Sequence, residues 1–165
     1  MSFVRAVRHV LAPPWRARRI FAQAALDRIE AAVRKSEQRH RGELRFALEG
    51  ALEFLPVLHG LTPRSRALEV FSLLRVWDTE ENTGVLIYLQ LVDRHIEIVA
   101  DRGIAARISQ PEWDAICRRM EDAFRANRYE AGVIAGIAEV SDLLARHFPA
   151  GVQNPNELPD RPAVL

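Results

Sequence analysis

Four carboxylates, Asp78, Glu80, Glu81 and Asp101, have types and spacing suited to holding a divalent cation in this 165-residue chain. Three of them sit in the polar stretch Asp78-Thr79-Glu80-Glu81-Asn82, which leads into the apolar run Gly84–Val92. If Asp93-Arg94 is a two-residue turn, Val92 faces His95 and Leu86 faces Asp101. The acidic stretch then enters the sheet at the edge where Asp101 leaves it. Carboxylate and carbonyl oxygens on loops are the ligands Ca²⁺ and Mg²⁺ take, and Asp78, Glu80 and Asp101 are the expected metal residues. Crowded carboxylates raise one another's pKa values unless a cation or an arginine sits among them. Two fillers are therefore open at this edge: a divalent ion, or Arg102 or Arg107, which would make the cluster a structural ion pair. A third reading is an acidic loop solvated at the surface, since the EF-hand spacing does not occur.

Other standard sites do not emerge from spacing. The sequence holds no GxGxxG, GxxxxGK[ST] or GxSxG pattern. Its five histidines, at 9, 40, 59, 95 and 147, are far apart and make no HExxH. His95 reads as an exposed strand residue and Asp93-Arg94 as a turn pair, so no nucleophile with an adjacent base is assembled. Cys117 is the single cysteine, which rules out an intrachain disulfide and a thiolate metal cluster. It lies in an apolar helical stripe and reads as a buried structural thiol.

The elements that would position these residues follow from periodicity. Residues 16–40 read as a helix, with Ile20, Phe21, Ala24, Ala25, Ile29 and Val33 on one face, and Gly42 just past its end. Glu43–Glu49 alternates as a half-buried strand, and 50–58 is read as a further strand segment or a loop on the core. Thr62-Pro63 starts a helix as N-cap and first helical residue. Gly84–Val92, apolar on both faces, has the pattern of a central strand covered on both sides, and His95–Ala100 alternates as its hairpin partner. Ser109 and Glu112 form a capping-box pattern opening a helix with Trp113, Ile116, Cys117, Met120 and Phe124 inward. Asn127 breaks it, and a last helix carries Tyr129, Val133, Ile137, Val140 and Leu144 inward. Gly132 and Gly136, one turn apart, let it approach its neighbour closely. From Pro149 the tail holds four prolines and is expected to be extended or wrapping.

Composition bounds the rest. The 48% apolar and 27% charged content is that of one globular domain. No apolar run approaches the roughly 20 residues of a spanning helix. The run Val10-Leu11-Ala12 is stopped by Pro13-Pro14, short of a signal's apolar stretch, so a cytoplasmic protein is expected. The net charge of +1 hides a basic segment 1–41, with ten Arg/Lys against three Asp/Glu, and an acidic remainder. Such an arm can meet nucleic acid, anionic lipid or an acidic partner. The favoured reading is that it docks on the chain's own acidic remainder, with no nucleic acid partner, because no RNA-binding pattern accompanies it.

The runs Asn82-Thr83-Gly84-Val85-Leu86-Ile87-Tyr88-Leu89, Asp93-Arg94-His95-Ile96-Glu97-Ile98 and Asp101-Arg102-Gly103-Ile104 together resemble the core of the TPM domain family. Phe124, Tyr129 and Gly132 also fit, and the resemblance covers roughly residues 25–150. It implies an α/β fold, a three-layer α/β/α sandwich with a mixed sheet, Rossmann-like in outline without a nucleotide-binding loop. Some members resemble acid phosphatases of low activity, and some have carboxylate-lined divalent-cation sites with Ca²⁺ proposed. Others act in the thylakoid lumen in photosystem repair, or as membrane-protein partners. The chain resembles a short bacterial variant without the signal or anchor many members carry. Asp78 and Asp101 match the family's carboxylates best. Where many members place another Asp, this sequence reads Ile108–Asp114, with Glu112 or Asp114 as substitutes.

These readings predict an N-terminal extension over 1–15, the α/β/α domain over 16–148 and a Pro-rich tail over 149–165. The expected function is a non-catalytic binding or accessory protein for a membrane-associated partner, peripheral to the membrane. The alternative is a weak acid phosphatase dependent on Ca²⁺ or Mg²⁺.

Overall fold

The computed structural model describes residues 2–152 and 154–165. Three helices come first: α1 (Ser2–Leu11), α2 (Trp15–Ile20) and α3 (Gln23–Glu37). Strand β1 (Glu43–Glu49) follows, then α4 (Phe54–Leu58), α5 (Pro63–Leu73), β2 (Gly84–Gln90) and β3 (His95–Ala100). The short α6 (Arg102–Ala105), the long α7 (Gln110–Arg125) and α8 (Tyr129–His147), and the two-residue β4 (Ala163–Val164) complete the order. The strands form an open mixed sheet in the order β3-β2-β1-β4. β1 is parallel to both β2 and β4, while β2 and β3 are antiparallel.

Alternation along the strands divides the core in two. Leu44, Phe46, Leu48, Val85, Ile87, Leu89, Ile96 and Ile98 point to one face, where they meet Ile29 and Val33 of α3, Met120 and Phe124 of α7, and Val133, Ile137 and Val140 of α8. Ala47, Leu86, Tyr88 and Val99 point the other way, toward Ala67 and Val70 of α5 and Leu158 of the tail. Helices thus cover both faces of β2, which is why every residue of that strand is buried and apolar side chains occupy both of its faces.

Local signals explain the helix ends. Thr62 caps α5 in a capping box with Ser65, and Ser109 caps α7 in one with Glu112. Asn127 turns the chain between α7 and α8 at φ 58°, a left-handed conformation that Asn tolerates. Gly132 packs on Ala123 and Phe124, and Gly136 on Met120, so α7 and α8 approach closely along that stripe.

Four expectations need correction. The segment 50–58 contains helix α4, not a strand; the fourth strand is β4, contributed by the tail. The helix expected over 16–40 is divided at Phe21-Ala22, where Ala22 is extended at ψ 160° and Phe21 turns into the core against Phe46 and Tyr129. A helix, α1, forms over residues that carried little readable pattern. The hairpin turn is four residues, Leu91–Arg94, closed by Arg94 N–H donating to the Leu91 carbonyl at 3.2 Å, with Arg94 at φ 54°. Gln90 therefore faces His95, and Val85 faces Ala100. The register differs from the expected one by two residues, so every side chain keeps its predicted face.

Candidate functional site

Asp101 and the Glu81-Asn82 end of the acidic stretch meet where β2 begins and β3 ends. Asp101 N–H donates to the Gly84 carbonyl at 2.8 Å, and Gly103 N–H to the Asn82 carbonyl at 3.1 Å. Two glycines make this junction sterically feasible. A Cβ on Gly84 would stand 1.9 Å from the Val76 carbonyl oxygen, and one on Gly103 would stand 2.6 Å from that of Asn82. The acidic stretch is thus threaded between the start of β2 and the first turn of α6.

The carboxylates here have separate occupations. Asp78 is exposed and pairs with Arg75 at 2.6 Å. Glu81 is exposed and accepts two hydrogen bonds from Arg41, at 3.0 and 2.9 Å. Glu80 is exposed, and its backbone N–H donates to Glu157 at 2.9 Å. Asp101 caps α6, its Oδ1 accepting from Arg102 N–H at 2.7 Å. Its Oδ2 is buried and accepts no hydrogen bond from the described residues. The arginines that pair with carboxylates of this stretch are Arg75 and Arg41. Of the two anticipated fillers, Arg102 donates to Asn82 at 2.9 Å and Arg107 stacks over Phe148. Among the described residues, no three His, Cys, Asp or Glu side chains are grouped to hold a metal ion. Glu112 accepts from Ser109 in its capping box, and Asp114 accepts from Gln110.

The buried polar groups elsewhere were not legible as sites. At the carboxyl ends of β1 and β2, His9 of α1 is buried; Leu52 N–H donates to its Nδ1 at 3.0 Å, and its Nε2 lies 3.3 Å from Asp93. Burial lowers its pKa despite Asp93. Arg5 donates to the same carboxylate at 2.8 Å. Nearby, the buried Tyr88 hydroxyl donates to Glu49, which Arg66 holds from the other side, at 2.7 Å from Nη2. His95 sits between Glu97 and Glu121 at 2.9 and 2.6 Å, and the Glu97 hydrogen bond is the main reason its pKa is raised. Burial pushes the Cys117 thiol up to about 12, so it is no nucleophile at neutral pH.

A third group lies under the tail. Glu37 accepts from Leu44 N–H at 2.8 Å, and Glu43 accepts from both Glu157 and Leu158 N–H at 3.0 Å. Asp160 accepts from Arg34 at 2.9 Å. Burial pushes Glu37 up to about 8, and Glu43 and Asp160 beside it add to the rise. Only tertiary structure brings residues 37, 43 and 160 together.

With this geometry in view, the comparisons with known proteins are informative. The model of the TPM domain matches residues 17–143. The chain belongs to the TPM domain family. The match takes in the Gly84 and Gly103 junction. The NMR structure of the BA42 protein from the psychrophilic bacterium Bizionia argentinensis is similar, with a TM-score of 0.76 and 28% identity. The likeness covers 86% of this chain and 93% of that one. No curated protein matches the chain.

Proposed function

We propose that this TPM domain is a non-catalytic accessory protein that works by binding, on a partner associated with a membrane. We read its architecture as the three-layer α/β/α sandwich, Rossmann-like in outline, from the apolar clusters on both sheet faces. One observation carries the functional reading: at the junction of β2 and β3 the acidic side chains serve the fold, Asp78 through Arg75, Glu81 through Arg41 and Asp101 as the cap of α6. Elsewhere the Tyr88 hydroxyl is taken up by Glu49, His9 by Leu52 N–H and Asp93, and burial raises the Cys117 thiol pKa.

The alternative, a weak acid phosphatase dependent on a divalent metal, draws on a different observation. Asp101 Oδ2 is buried without a partner, and a cation drawing in Asp78 and Glu80 would satisfy it. A colorimetric phosphatase assay with Mg²⁺, with Ca²⁺ and without metal separates the two. The accessory reading expects no turnover above buffer in any of the three. Metal-dependent turnover that disappears in Asp101→Asn, with an unchanged circular dichroism spectrum, would establish the alternative.

A further inference from the structure

Helix α1 turns two unlike faces outward and inward. Ala6 and His9 are buried, Ala6 in a small apolar cluster with Leu52 and Val57. On the opposite arc Phe3, Val4, Val10 and Leu11 are 62, 67, 62 and 74% exposed, with Val7 half-buried among them. At 3.6 residues per turn these five side chains fall within an arc of about 120°. Trp15, at the head of α2, is 57% exposed. An apolar stripe of this width on a helix normally faces a core; left in solvent and joined by an exposed tryptophan, it marks an interaction surface.

The charge beside the stripe identifies the kind of surface it meets. No Asp or Glu precedes Asp27, whereas five arginines do. Arg5 is committed to Asp93. Arg8 and Arg16 join Arg94 of the hairpin turn around a cleft of about 350 Å³ next to Leu11 and Pro13, and no acidic side chain lines it. Arg8 is steered there by its hydrogen bond to the Val92 carbonyl at 3.2 Å. A cleft whose charged lining is all arginine, at the border of an apolar arc, matches the layered chemistry of an anionic bilayer, phosphate outside and acyl chain beneath.

We infer that the α1–α2 face docks on an anionic bilayer surface. Phe3, Val10, Leu11 and Trp15 enter the interfacial layer, and Arg8, Arg16 and Arg94 take headgroup phosphates. A second copy of the chain fits less well, because a two-fold pairing of this face sets arginine against arginine. A nucleic acid would satisfy the arginines and leave the apolar arc in water. The inference deepens the accessory reading and rests on it, since a docking face is then the working part of the protein.

Sedimentation of the full chain with vesicles tests it, comparing phosphatidylcholine alone with phosphatidylcholine containing phosphatidylglycerol. Binding is expected to the anionic vesicles, falling as salt is raised. Trp15 emission should shift to the blue on binding, a shift lost in Trp15→Phe. Arg8→Gln and Arg16→Gln should each lower the partition coefficient about fivefold, the effect of one basic residue near such a surface. Leu11→Ser, at an exposed residue, should weaken binding without changing the thermal melt. Failure to pellet with either vesicle overturns the inference. So does a dimer in solution that Leu11→Ser dissociates, which would assign the face to a second copy. Turnover in the phosphatase assay would remove the accessory reading while leaving the vesicle result legible in its own right.

Discussion

Single residues at the β2–β3 junction define how the chain is threaded there, and Gly84 is the most constrained. Backbone rather than a movable side chain blocks its Cβ position, at 1.9 Å from the Val76 carbonyl oxygen. Gly84→Ala should therefore destabilise the fold by at least the ~1–3 kcal/mol typical of overpacking. Gly50→Ala, whose Cβ would meet only Ala17 at 3.6 Å, is the matched control and should be near neutral. Urea unfolding of the two variants measures the difference, and similar midpoints would contradict the steric account. At this scale the sequence was partly legible. Gly84, Asp101 and Gly103 stood out by spacing and by resemblance, and they do meet at one end of the sheet. The arginine partners did not stand out. Asp78 meets Arg75 three residues back in the turn after α5, but Glu81 reaches Arg41 across 40 residues of chain, and no periodicity encodes that pairing.

Among the elements, the link between α3, β1 and the tail has the clearest pH dependence. Glu37 is held neutral by burial, with its pKa pushed up to about 8 from an ordinary value near 4.5. The folded chain thus keeps a proton that the unfolded chain releases between those values, so stability falls as pH rises through that window. Glu37→Gln preserves the acceptor for Leu44 N–H and supplies a permanently neutral group. It should flatten the stability profile between about pH 4.5 and about 8, as measured by denaturant unfolding on either side of the window. An unchanged slope would show that Glu37 titrates normally. Elements with strong caps or a buried two-sided pattern, such as α5, α7 and β2, were readable in the sequence. The division of α2 from α3 was not, because Phe21 continues the apolar periodicity while leaving the helix to pack on Phe46. The hairpin register was missed by two residues because Asp93-Arg94 lacks the glycine that fixes a tight turn.

For the molecule as a whole, α1 packs at one end of the sheet and the tail adds its fourth strand. α1 sits over the carboxyl ends of β1 and β2, tied there by Arg5, His9 and Asp93. The tail covers the α5 face with Leu158 and adds β4 beside β1. Leu158→Ala should cost about 2–5 kcal/mol if its burial is as complete as that of an ordinary core leucine, read from the shift in the urea midpoint. A negligible shift would mean that the tail only rests on the domain. The mixed α/β character, with helices packed on an open mixed sheet, was legible because alternation and covered strands survive local misreadings. The fourth strand was not, since two residues after a run of prolines show no period at all.

That short strand also bears on the protein's colloidal behaviour. β4 pairs only with Ala47 and Leu48, and Leu165 N–H donates to the Leu48 carbonyl at 2.9 Å. Arg45 extends the cover by donating to the Pro159 and Arg161 carbonyls. Proteolytic clipping near Asn156 would strip this cover and bare the outer edge of β1, a row of unpaired amides and carbonyls flanked by buried apolar side chains. Such an edge templates strand addition by another molecule. With the tail covering that edge, light scattering of the intact chain should stay flat while that of the clipped chain rises with time.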